Sequence, residues 1–245
     1  MRMAALRLRV ADPDALAAFY REALGMSVQI EGANRRVGYP GQDADLLLVP
    51  GGGGYHHDRG QRYWKIGITL PDVDLAVDDL RQKDVPVSAP GQFLDIGYMC
   101  HLNDPEGFGI ELLQHDFEGN RPLGAASPDA PFAKACIGQI TLRTGDIAAE
   151  DAFCQSMGLS LLSMQDVEPY GFDLHFYAFT ADKPPNPDLW AVENREWLWK
   201  RPYTTLEFQH VPNARFALVP DYLGIEVEGL ADSQKDAFGD PWHPT

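Results

Sequence analysis

A chain of 245 residues with 44% hydrophobic content can bury one large core or two smaller ones, and it is too apolar to be disordered. Its formal net charge of -16 at pH 7 argues against a broad nucleic-acid or anionic-membrane surface, although a local basic patch remains compatible with it. Cys100, Cys136 and Cys154 are irregularly spaced, which matches neither a disulfide framework nor a zinc finger and fits a reducing compartment.

The N-terminal stretch MRMAALRLRV has no long apolar run, so neither a signal peptide nor a membrane span is expected. A soluble cytoplasmic protein is the expectation. Leu6, Leu8 and Val10 alternate with Arg7 and Arg9, as in a half-buried strand. Asp12 then caps a helix with Pro13 at its first position, Leu16, Phe19, Tyr20 and Leu24 at helical spacing, and Gly25 as its stop. Short strands are predicted at Met26 to Ile30, Arg36 to Tyr39 and Asp45 to Val49. Gly51 to Gly54 lacks the lysine and following helix of a phosphate loop and reads as a connector.

The pattern then recurs. Trp64 to Leu70 reads as a strand and Asp72 opens a helix with Val73, Val77 and Leu80 on its buried side. Later strands are predicted at Val85 to Val87, Ile96 to Leu102 and Gly109 to Leu113, with Asn103-Asp104-Pro105-Glu106-Gly107 as a hairpin turn. Residues 117–133 read as a linker. A third copy begins at Ile137: Leu142-Arg143-Thr144 echoes Leu8-Arg9-Val10, and Met157-Gly158-Leu159-Ser160-Leu161 echoes Leu24-Gly25-Met26-Ser27-Val28. Its later elements are a strand at Phe172 to Phe179, a Pro-rich loop, a short helix at Leu189 to Trp199 and a strand through Glu207. Tyr222 to Val227 opens a truncated fourth copy.

Two stretches carry chemistry. In Tyr203 to His210, Thr205, Glu207 and Gln209 share a face opposite Leu206 and Phe208. In Cys136 to Arg143, Gln139, Thr141 and Arg143 share a face. An amide oxygen and a carboxylate on paired strands suit a divalent ion that accepts oxygen ligands. His56 and His57 are adjacent on the chain and would point apart on a strand.

These strand-helix-three-strand copies, the LGM turn after the first helix and the DPEGFGIEL hairpin resemble the vicinal oxygen chelate superfamily, which contains glyoxalase I, extradiol dioxygenases and bleomycin- and fosfomycin-resistance proteins. The resemblance covers roughly residues 4 to 228. It implies an α+β fold of tandem βαβββ modules, three plus a truncated fourth, in curved mixed sheets around a cavity. Two domains are expected: residues 1–116, built from two modules, and residues 134–245, joined by the 117–133 linker. The third copy, with GQITLRT and EWLWKRPYTTLEFQH, is similar to longer glyoxalase I chains. That likeness implies Gln139 and Glu207 as metal ligands and Arg143 as the holder of a glutathione carboxylate. In the second copy Glu111 matches the glutamate position and Lys65 stands at the histidine position. An ammonium has no lone pair for a metal. The first copy has Ala5 and Leu47 at the two positions. His101, on the strand before Glu111, is a replacement ligand.

The function this implies is a divalent-metal-dependent lyase or isomerase of the glyoxalase I type, lactoylglutathione lyase or a close relative, acting on a small carbonyl compound or its thiol adduct. The expected metal set is Gln139, Glu207, Glu111 and His101, holding zinc, nickel, manganese or iron, with glutathione as a co-substrate. Glu207 and Glu111 are the expected catalytic carboxylates; Arg143, Lys65, Gln209 and Met99 are the expected substrate contacts. A homodimer is expected, with no nucleic-acid or membrane partner. The alternatives are an extradiol-type dioxygenase and a metal-free small-molecule-binding protein.

Overall fold

The structure, a computed structural model, describes residues 1–121 and 129–245. The middle of the expected linker, residues 122–128, lies outside the described residues. Local chemistry starts each repeat in the same way. In the first module β1 (Arg2–Val10) runs into Asp12, whose Oδ1 accepts from the Asp14 and Ala15 amides at 3.0 Å and opens α1 (Pro13–Leu24). Gly25 ends that helix at φ 69°, a conformation that disfavours a side chain. β2 (Ser27–Glu31), β3 (Asn34–Gly38) and β4 (Asp45–Pro50) follow.

The second module is β5 (Tyr63–Leu70), α2 (Val73–Gln82) capped by Asp72, β6 (Gly91–Phe93), β7 (Gly97–Asn103) and β8 (Gly109–Gln114). The third is β9 (Cys136–Thr144), α3 (Ile147–Met157) capped by Asp146, β10 (Ser160–Val167), β11 (Phe172–Ala178), α4 (Glu193–Trp199) and β12 (Thr205–His210). β13 (Tyr222–Glu228), β14 (Gln234–Lys235) and β15 (Pro241–Pro244) form the truncated fourth.

Two expected elements differ. Val85 to Val87 is not a strand; the edge strand is β6, at 91–93. Pro86 and Pro90 have no N–H to give a ladder, so between them the Ser88 amide bonds β7, at the His101 carbonyl, and the regular ladder begins at Gly91. The helix expected from Leu189 starts at Glu193. The side chain of Asn194 bonds the Asn186 amide and the Asn186 and Asp188 carbonyls, at 2.9, 3.0 and 2.9 Å, and holds the preceding residues in turns.

Strand order explains where a cavity can form. One sheet runs β14-β15-β13-β1-β4-β3-β2 and the other β10-β11-β12-β9-β5-β8-β7-β6. Each sheet therefore takes strands from both sides of residues 117–133: the first and fourth modules share one, the second and third share the other. The seams match, since β1 pairs antiparallel with β13 and β5 antiparallel with β9. In the second sheet the alternation sorts side chains cleanly. Ile66, Ile68, Ile110, Leu112, Ile140, Leu142, Leu206 and Phe208 enter the main core on one face. Lys65, Glu111, Gln139 and Glu207 take the intervening positions on the other.

One polar cluster is buried within this packing. Arg62, 1% exposed, pairs with Glu150 at 2.7 Å, with Asp236 at 2.6 Å and with Asp240, and so ties the start of β5 to α3 and to the C-terminal segment. One guanidinium faces three carboxylates. Burial pushes the Glu150 carboxyl up to about 7 despite Arg62, from an ordinary value of 4.5. The folded chain thus holds that proton more tightly than the unfolded chain does. The stability this contributes is complete below pH 4.5 and is lost as pH rises towards 7. Urea midpoints at pH 5 and pH 8 should therefore fall for the wild type. Glu150→Gln should show a smaller fall; an identical fall in the two would remove Glu150 as its cause.

Candidate active site

The second sheet curves around a cavity of about 860 Å³ with two chemically distinct ends. At the polar end Lys65 projects from β5, Glu111 from β8, Gln139 from β9 and Glu207 from β12. Register brings them together. Gly67 sits beside Glu111 on one side and Gln139 on the other, and Thr141 sits beside Glu207. The Lys65 ammonium lies between the two acids: Nζ donates to Glu111 Oε1 at 3.1 Å and to Glu207 Oε2 at 3.3 Å. Glu207 Oε2 also accepts from the Thr141 hydroxyl at 2.6 Å, and Glu111 Oε2 lies 2.9 Å from His101 Nε2.

The two acids have different electrostatic surroundings. Burial raises the carboxyl of Glu111, but the charge of Lys65 and the hydrogen bond to His101 outweigh it, so this acid lies below the usual carboxylate range. Burial also raises Glu207; Lys65 offsets part of this, and the charge of Glu111 adds to it, leaving Glu207 above its ordinary value. Burial lowers Lys65, yet the two carboxylates more than compensate and hold it protonated. Two acids driven apart in this way are suited to different roles, one fixed as an anion and one able to take and return a proton.

Gly67 is needed for this packing. A Cβ there would stand 2.0 Å from Gln139 Oε1, so the missing side chain makes room for the amide to lie across β5. That Oε1 is buried and has no hydrogen-bond partner among the described residues. Arg143 lies farther along the same face of β9. Its Nε donates to Gln209 Oε1 at 2.9 Å, its Nη1 donates to the Asp58 and Gln61 carbonyls at 3.2 and 3.0 Å, and its plane lies over Trp64. Burial lowers its pKa to about 10. Its hydrogen-bond partners are the Gln209 amide, two carbonyls and His57, with no carboxylate among the described residues, so an anion in the cavity would find a cation already positioned. The far end is apolar, lined by Phe93, Met99, Phe172, Leu174, Phe176 and Trp199.

Of the expected site residues, Glu111, Glu207, Gln139, Lys65 and His101 converge within one chain, and Arg143 with Gln209 lies beside them. Met99 belongs to the apolar wall, in a smaller hydrophobic cluster that also holds Ile96, Leu113 and Trp199. Thr141 had a signal in the sequence, its shared face with Gln139, but its hydrogen bond to Glu207 depends on the β9–β12 register. Trp64, which lies against both cations, had no signal beyond being next to Lys65 in the chain.

The metal implied by the resemblance does not fit this donor set. Two carboxylates, an amide oxygen and an imidazole are suitable by type. A divalent ion bound to both acids would lie about 2.0–2.2 Å from their oxygens. That position adjoins the Lys65 ammonium, which already bonds both acids and repels a cation. At the expected ligand positions the structure holds a lysine-centred ion cluster. The two-histidine arrangement of an extradiol site is not assembled at this carboxylate pair, where His101 is the one imidazole among the described residues.

Metal-type donors also meet elsewhere. Asp173, His175 and His210 bring ligand atoms within 4.8 Å of one another, on β11 and β12. Here Asp173 bonds His175 Nε2 at 2.5 Å and His210 Nδ1 at 3.1 Å, so the three are satisfied as a hydrogen-bonded group. In the first sheet, the positions matching Lys65 and Glu111 are Ala5 and Leu47, and the nearby space holds Arg36 and Glu226, paired at 2.9 Å. Arg36 also meets Glu31 at 2.6 Å and Asp45 at 3.9 Å, so the first sheet holds an arginine-centred cluster where the second holds a lysine between two buried acids.

Comparison with known proteins agrees with this architecture. A family model described as Glyoxalase/Bleomycin resistance protein/Dioxygenase superfamily matches residues 2–112. A probable chloroplastic lactoylglutathione lyase of Arabidopsis thaliana is 25% identical over 201 residues, which is 77% of this chain and 53% of the relative. The chain thus spans about half the length of that curated relative. The crystal structure of glyoxalase I from Zea mays superposes with a TM-score of 0.67 at 20% identity, over 93% of this chain and 74% of that one. A variant of the maize protein gives 0.72 at 18% identity, over 99% and 91%. No described helix is long and apolar enough to cross a membrane. Residues 2–112 thus match the model of the Glyoxalase/Bleomycin resistance protein/Dioxygenase superfamily, and the chain has a glyoxalase I-like fold of two curved sheets.

Proposed function

We propose that the protein is a lyase or isomerase that moves a proton between adjacent carbons of a small carbonyl compound, in the form of its thiol adduct. The observation that carries this reading is the pair of unlike carboxylates flanking one ammonium at the end of a large cavity. Glu207, raised by burial and by its charged neighbour, takes the proton from the carbon next to the carbonyl and returns it to the neighbouring carbon. Negative charge builds on the former carbonyl oxygen between these events, Lys65 holds it, and that oxygen then takes the proton given up by the hemithioacetal hydroxyl, whose own oxygen becomes the thioester carbonyl. A fixed donor aimed at a developing oxyanion is the strongest stabiliser available in a dry cavity. Glu111 stays ionised and orients Lys65. Arg143 receives the anionic tail of the thiol carrier, with glutathione as the candidate, and the aromatic end takes the apolar substituent.

The similarity to a probable lactoylglutathione lyase supports this reaction class. The test is to follow the hemithioacetal of a 2-oxoaldehyde and glutathione by its conversion to thioester. Turnover that stops on adding an unreactive glutathione thioether as competitor supports the reading. A second reading follows from the aromatic wall: a binding protein that holds an apolar molecule without reaction. A melting temperature raised by the thioether, with no thioester formed from any hemithioacetal, would replace the enzyme with the binder.

A further inference from the structure

We infer that Lys65 is a built-in cation standing in the slot of a divalent ion, so that this cavity works without metal and excludes it for as long as the lysine is present. The inference deepens the proposed reading by naming the source of positive charge at the site, and it rests on that reading only for the chemistry performed there.

The repeat geometry places the lysine. On β5, Lys65 stands two residues before Gly67, the partner of Glu111; on β9, Gln139 stands two residues before Thr141, the partner of Glu207. The two modules therefore present Lys65 and Gln139 from equivalent positions, each reaching towards an acid from the strand beside it. Around that centre lie Glu111, Glu207 and the buried, unpartnered Oε1 of Gln139, with His101 Nε2 on the far oxygen of Glu111. The orphaned amide oxygen shows that the cluster has more acceptors than its own donors satisfy. Glu111 and Glu207 are 6% and 2% exposed, and water cannot screen them well. Their charges need a cation within reach, and Lys65 is the only lysine or arginine that touches either of them among the described residues. Without the ammonium, the same acceptors form an oxygen-rich pocket that would attract a hard or borderline divalent ion. A histidine at 65 would put a neutral imidazole nitrogen, able to bind a metal, where the ammonium now stands between the two acids.

The test is equilibrium dialysis of the full, metal-stripped chain against cobalt(II), comparing wild type, Glu207→Gln, Lys65→His and the double variant. Wild type and Glu207→Gln should hold the same number of ions, including any taken by Asp173, His175 and His210. Lys65→His should hold about one more, the single ion that such a ligand set binds, and the double variant should lose it. A wild-type count that drops on Glu207→Gln would mean that metal enters beside the lysine, and the inference would be overturned. A folded Lys65→His that gains no ion would overturn it as well. Should Lys65→His not fold, the comparison of wild type with Glu207→Gln decides on its own. Because the readout is bound metal, a failed lyase assay with the expected ion counts would remove the reaction and leave the assignment of the cation intact.

Discussion

Glu207→Gln is expected to reduce kcat for the hemithioacetal by a factor of about 10²–10⁴, the range for loss of a positioned general base. The substitution keeps the size of the side chain and an oxygen for the Thr141 hydroxyl, so KM should change little. What it removes is the group able to accept a proton. Glu111→Gln should cost less in kcat, because Glu111 is held as an anion by Lys65 and His101 and serves to aim the ammonium. Steady-state kinetics on both variants check the assignment. If Glu111→Gln were the more damaging with kcat alone affected, the two acids would have to exchange roles. Equal, small losses in both would take the proton transfer away from this cluster.

The largest effect on stability is expected at Arg62. Arg62→Met would leave Glu150, Asp236 and Asp240 facing one another in the interior without their shared cation. Removing one partner of a buried ionic group costs about 3–5 kcal/mol, because the remaining charges stay desolvated. The guanidinium also donates to the Arg143 carbonyl at 2.8 Å and lies over Phe238, so packing is lost as well as charge. Urea unfolding should show the loss, and it should be greater at pH 8 than at pH 5, because burial raises the Glu150 and Asp240 carboxyls so that they take up protons at the lower pH. Adding Glu150→Gln to Arg62→Met should recover part of the loss, since it removes one of the stranded charges. Strict additivity of the two changes would show that they act independently and would contradict the shared cluster.

Much of the fold was legible because its signals are local. Asp12, Asp72 and Asp146 each cap a helix directly after a strand, and Gly25 and Gly158 each end one in the left-handed conformation. Such signals depend on neighbours a few residues away. The alternation around Glu207 and Gln139 placed both side chains on polar faces for the same reason. Elements failed where backbone donors were missing or diverted, at Pro86 and Pro90 and in the turns held by Asn194. The C-terminal partners of Arg62 had no signal, because Asp236 and Asp240 are 174 and 178 residues away in the chain.

The sequence by itself determined the repeated strand-helix-strand units, the acids and the amide that face a cavity, and the presence of a lysine at a position where the resembled family has a histidine. The tertiary structure decided that modules two and three share one sheet, and therefore that Glu111 and Glu207 face each other across a single ammonium. It also decided what that lysine does. A residue type states which charge is available, but only the antiparallel seam between β5 and β9 sets the distance over which that charge acts.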